Sequence, residues 1–99
     1  MTRWVAIFDD DPAHDWVRRQ HDRAHFDYLA AHSAKIRIGG GLRPGPGEWF
    51  CGGLWVLECD TREEAVRLVE DDPYYRLGLR SGYRLLVWGK APVYGDVVL

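Results

Sequence analysis

The sequence has only two cysteines, Cys51 and Cys59, so no disulfide framework staples it. They flank an apolar segment that reads as a strand, and eight residues of strand span about 26 Å. That is far beyond the Cα separation of roughly 7 Å that a disulfide tolerates. Two reduced thiols fit the cytoplasm, where both are expected to pack as small apolar groups. Long hydrophobic runs are also missing. The residues from Met1 to Phe8 hold one short apolar stretch, Trp4 to Phe8, too brief for a membrane span or a signal-peptide core. A cytoplasmic protein without a membrane partner is expected. Positive charge is not in excess: 13 Lys and Arg stand against 15 Asp and Glu, a net charge of −2. With no basic stripe, nucleic acid is excluded as the expected partner. Internal repeats and low-complexity linkers are absent too.

What is present describes one domain. The 99 residues are 46% hydrophobic and 28% charged, the balance of an ordinary folded chain. Its core is read as residues 3–90, with a tail over 91–99. Five Trp and five Tyr are many for this length. A monomer of this size buries only about two-thirds of its unfolded surface. So much aromatic area predicts a second covered face, against a partner chain or a ligand.

Arg3-Trp4-Val5-Ala6-Ile7-Phe8 is apolar on both faces and predicts a strand covered on both sides. Asp9-Asp10-Asp11 stops it, and Asp11-Pro12 opens a helix expected to run to about His32. Its apolar stripe is read as Ala13, Trp16, Val17, Gln20, Ala24, Tyr28 and Ala31. Ile36 and Ile38 alternate with Lys35 and Arg37, as in a one-sided edge strand. Gly39-Gly40-Gly41 and Pro44-Gly45-Pro46-Gly47 predict a turn-rich hairpin loop. Leu54-Trp55-Val56-Leu57 is a second two-sided apolar strand. Thr61-Arg62-Glu63-Glu64 is a capping box that starts a second helix, which Asp72-Pro73 ends before one short extra turn. Tyr83 to Trp88 is the last strand. The order βαββαβ is the ferredoxin-like, split-βαβ arrangement: α+β, with two helices on one face of a four-stranded antiparallel sheet. The bare face, apolar on the central strands, predicts a homodimer through the sheet.

Several segments share one order and spacing: Arg23-Ala24-His25 late in helix one, the run Gly39-Gly40-Gly41, Gly52-Gly53-Leu54-Trp55-Val56-Leu57-Glu58, Thr61-Arg62-Glu63-Glu64-Ala65, and Asp71-Asp72-Pro73-Tyr74. Together they resemble the YCII-related (YciI-like) family from Val5 to Trp88. The resemblance implies a dimeric α+β barrel, two sheets packed face to face. It also implies a cleft with a His and an Asp as a catalytic pair, here His25 and Asp72. The wider superfamily includes muconolactone isomerases, cofactor-free monooxygenases and, nearer to this family, a dehydrochlorinase of a chlorinated hydroxyhydroquinone. The extra tryptophans Trp16, Trp49 and Trp55 and the Pro-Gly loop depart from the family pattern.

The residues themselves bear on these roles. His25 lies at the edge of the helix stripe, where an imidazole can reach a cleft and act as a base near neutral pH. Asp72, before Pro73, is a natural helix cap, a role that can coexist with holding an imidazole. His14, His21, His25 and His32 fall on a stripe about 40° wide at 3.6 residues per turn. That stripe reads as a solvated face, because no third ligand for a metal can be named. The glycine run lacks a phosphate-loop ending and reads as a turn. Arg37, Trp49 and Tyr74 are candidates to bind substrate, Arg through a carboxylate and the rings by flanking a planar ligand. The resulting expectation is a small enzyme without a cofactor or metal, in which His25 moves a proton and Asp72 orients it. The reaction would be of lyase, isomerase or hydrolase type, such as a dehydrochlorination, on a small polar or aromatic molecule. The alternatives are a non-catalytic dimeric metabolite-binding or accessory protein and a cofactor-free monooxygenase.

Overall fold

The computed structural model describes residues 1–98, so the last residue of the expected tail, Leu99, lies outside it. Strand β1 is Thr2–Asp10, β2 Ile36–Leu42, β3 Gly52–Cys59 and β4 Arg80–Val87; helix α1 is Trp16–Ala31, α2 Arg62–Glu70 and α3 Pro73–Arg76. The four strands form one sheet in the order β2-β3-β1-β4, and every pairing is antiparallel. This is the ferredoxin-like α+β arrangement, with β1 and β3 central, which is why those two strands are apolar on both faces.

On the helix side, Trp4, Ala6 and Phe8 of β1 meet Trp55, Leu57 and Cys59 of β3, and Ala65 and Val69 of α2 close over them. Phe8 and Trp55 pack edge to face at 5.0 Å between ring centroids, a geometry worth about 0.5–1.5 kcal/mol beyond area burial. Burial pushes the Cys59 thiol up to about 11. Across the other face the register aligns Ile38, Val56, Val5 and Leu86 into one aliphatic row spanning all four strands. Ile38 is 46% and Leu86 40% exposed.

The structure departs from the sequence reading in several places. Asp9 and Asp10 do not stop β1 but continue it, through a register shift against β4. Asp11 caps a separate 3-10 turn, Pro12–His14, by accepting from the Ala13 N–H. Helix α1 starts only at Trp16 and kinks at His21, where φ is −127° and ψ 17°. The kink moves its buried line to Val17 and His25, leaving Trp16 and Ala24 exposed. The glycines 39–41 are not a turn but the body of β2. A Cβ on Gly41 would stand 2.4 Å from the Phe50 ring, so the strand needs glycine to let that ring pack. Between Ile36 and Ile38 a β-bulge inserts Arg37 as an extra residue, so Ile36 is buried toward the helices and Ile38 turns to the open face. At α2 the Thr61 hydroxyl accepts from the Glu64 N–H, and the Glu64 carboxylate accepts from Lys35 Nζ.

Candidate active site

Helix α1 and the α2–α3 junction meet at one end of the sheet. The peptide before Pro73 is confined to extended backbone, and Asp72 has φ −62° and ψ 135°. That leaves its carboxylate free of the helix, and it makes no cap bond to α3. Oδ1 instead lies 2.7 Å from His25 Nδ1, with His25 5% and Asp72 1% exposed. An ionised carboxylate only accepts, so Nδ1 carries the proton and donates it. The lone pair is then assigned to Nε2, which has no protein partner among the described residues. The His25 ring stacks on Tyr74 at 3.7 Å and 6°. The histidine stripe is therefore not a uniformly solvated face: His25 is inside, and His14 bonds Asp11.

His25 opens on a cavity of about 250 Å³. Its walls include Phe26, the glycines of β2, Trp49, Phe50, Tyr74 and two arginines, Arg18 and Arg80. Trp49 is fixed by an Nε1–H bond to the Asp15 carboxylate and by the Arg19 guanidinium 4.4 Å from its ring. Tyr74 is buried, which pushes its hydroxyl pKa up. Of the three residues read as substrate-binding, Trp49 and Tyr74 come to this cavity. Arg37 does not. The bulge carries it to the far side of the sheet, beside Arg3, Ile38, Val56 and Glu58.

Three charged residues at the site were missed by sequence reasoning. Asp10, at the end of β1, accepts from Arg18 Nε at 2.9 Å and from Arg80 Nη1 at 2.7 Å. Arg18 Nη2 also donates to the Gly52 carbonyl at 2.8 Å. A Cβ on Gly53 would lie 3.2 Å from Arg80 Nη2, so glycine there gives the guanidinium its room. Burial pulls the Arg80 pKa down, and the Asp10 carboxylate opposes it. Nothing local in the sequence marks this cluster, because its partners come from β1, α1 and β4.

A model of the YCII-related domain matches residues 2–89. No curated protein matches the chain. Among solved structures, the chain is similar to 5-chloro-2-hydroxyhydroquinone dehydrochlorinase from Burkholderia phenoliruptrix, in complex with 2,5-dihydroxybenzoquinone. The similarity has 27% identity and a TM-score of 0.82, over 92% of this chain and 97% of that one. A protein from Agrobacterium tumefaciens aligns with 9% identity and a TM-score of 0.44, over 92% and 94% of the two chains.

Proposed function

The chain belongs to the YCII-related family, and from that premise we propose that it is a cofactor-independent enzyme that moves a proton on a small polar or aromatic molecule. The observation that carries this reading is the buried 2.7 Å contact between His25 Nδ1 and Asp72 Oδ1, on a ring that opens on the cavity. Asp72 holds the tautomer and the ring orientation; Nε2 takes the proton from a substrate hydroxyl or acidic C–H. The carboxylate balances the imidazolium that results, and the proton returns at the next atom. The cavity, about 250 Å³, is smaller than the roughly 300–1,000 Å³ of drug-sized pockets, which suits a single substituted ring. The dehydrochlorinase similarity favours loss of HCl from a chlorinated hydroquinone. One hydroxyl proton is moved to the chlorine-bearing carbon; the second hydroxyl then loses its proton, its electrons expel chloride, and the ring ends as a quinone with net loss of HCl and no oxidant or reductant.

The reading also pairs two copies through the row Ile38, Val56, Val5 and Leu86, burying more than the roughly 1,200 Å² of weak contacts. A dimer in light scattering supports it, and a monomer at micromolar concentration contradicts it. Two free thiols among the described residues favour a cytoplasmic setting. No helix of the described residues is long and apolar enough to cross a membrane. Turnover is tested on a panel of chlorinated and hydroxylated hydroquinones, followed by chloride release and absorbance. The wild type is expected to convert at least one, and His25→Gln to slow it by about 10²–10⁴-fold. Equal rates in both would overturn the role of His25.

A further inference from the structure

We infer that Arg18 and Arg80, clamped by Asp10, form an anion-binding wall of the cavity, and that its ligand carries a carboxylate or ring oxyanion. The inference extends the proton-transfer reading, but its binding part stands on its own observations. The first is charge. The Arg18 and Arg80 side chains are 9% and 2% exposed, and they share one carboxylate, Asp10, which is 6% exposed. Two buried cations against one anion leave one positive charge over, and buried charge is costly unless paired. The second is hydrogen bonding. Arg80 Nε is buried with no partner, although the side chain lines the cavity. A guanidinium presents five N–H donors in a rigid fork, and Arg80 engages Asp10 through Nη1 alone. The third is the setting. Arg18 lies 4.4 Å over the Phe50 ring, and both guanidiniums lie beside Tyr74, at 5.2 and 5.3 Å. Two largely buried cations are thus held by aromatic faces, a setting in which a charge-assisted bond is strong.

The remaining acids do not cancel the excess once a proton has moved. Asp72 is engaged by His25, and Asp22 is exposed where it lines the cavity. While His25 is neutral, the Asp72 carboxylate is turned to the imidazole and weakens the arginines' pull on an anion without taking up their hydrogen-bond donors. When His25 takes a proton, the His25–Asp72 pair becomes neutral and the arginine excess faces the newly formed substrate anion. The two halves of the site then stabilise the two products of one proton transfer.

The test is binding to the full chain by calorimetry, with benzoate against its neutral isostere benzamide, and with 4-nitrophenol, whose ionisation is read by absorbance near neutral pH. Benzoate is expected to bind the wild type about tenfold or more tightly than benzamide. Bound 4-nitrophenol is expected to ionise about one pH unit below the free molecule, the same tenfold preference for the anion. Arg18→Gln should remove both effects, and Arg18→Lys should restore part of them; circular dichroism confirms that each variant is folded. His25→Gln should keep both effects, which separates this inference from the role of His25 in turnover. Binding of neither ring by the wild type, equal binding of benzoate and benzamide, or an anion preference that survives in folded Arg18→Gln would overturn it. A preference lost equally in His25→Gln and Arg18→Gln would overturn it as well, by assigning the effect to the dyad.

Discussion

Two buried carboxylates flank the cavity, and they are used differently. Asp10 has both oxygens engaged, one by Arg18 and one by Arg80. Asp72 has one oxygen on His25 and the other, Oδ2, buried without a partner. The first carboxylate is closed on itself by permanent cations and holds β1, α1 and β4 together. The second is matched to a group that changes charge. A carboxylate between arginines can only be structural or set a field, whereas one on an imidazole can also take part in a proton cycle. Both sit at element boundaries, Asp10 as the last residue of β1 and Asp72 just before α3.

The contrast can be broken most severely at Asp10. Replacing Asp10 by Asn leaves two buried guanidiniums without their counter-charge, and breaking such a network costs about 3–5 kcal/mol. Urea denaturation should show that loss; a change under 1 kcal/mol would mean the arginines are solvated. Gly53→Ala is a milder blow to the same cluster. Its Cβ would stand 3.2 Å from both Arg80 Nη2 and the Gly40 carbonyl, so the guanidinium must shift, at about 1–3 kcal/mol. Asp72→Asn is expected to cost only about 1 kcal/mol, because the amide oxygen still accepts from His25 Nδ1, while turnover falls. Stability losses of equal size at Asp10 and Asp72 would erase the distinction.

A smaller effect reads the charge of Asp72 from outside. The Tyr28 hydroxyl is pushed up to about 12 by burial first, then by Asp71 and Asp72. Its folded pKa exceeds the ordinary 10.0. The associated stability is therefore fully present below pH 10 and is lost as pH rises through about 12. Asp72→Asn should lower the Tyr28 midpoint in an absorbance titration while leaving it above 10, since burial remains. An unchanged midpoint would show that Asp72 carries no charge.

Much of this fold is written locally. Two-sided apolar runs mark β1 and β3 as central, and Thr61 and Pro73 bracket α2 by their backbone chemistry. The dyad residues were legible only through a family pattern spanning distant segments. Taken alone, Asp72 reads as a cap, yet its carboxylate points to His25. What stayed hidden depends on contacts between distant segments. The kink at His21 rotates the buried side of α1, and a period of 3.6 projected through it misplaces Ala24 and Trp16. Glycines 39–41 look like a turn because nothing nearby in sequence announces the Trp55 and Phe50 rings that exclude a side chain there. Arg37 points away from the site because of one inserted residue in the β2–β3 ladder. Asp10 and Arg80 are 70 positions apart, and no periodicity connects them.

Whether His25 and Asp72 act as one proton-transferring unit is measured by a double-mutant cycle on turnover. With the substrate identified by the hydroquinone panel, kcat/KM is compared for the wild type, His25→Gln, Asp72→Asn and the double variant. If Asp72 works through His25, the double variant should be no slower than His25→Gln, because the carboxylate has nothing left to orient. Losses that multiply, so that Asp72→Asn slows the enzyme by the same factor whether or not His25 is present, would show that the two residues act independently.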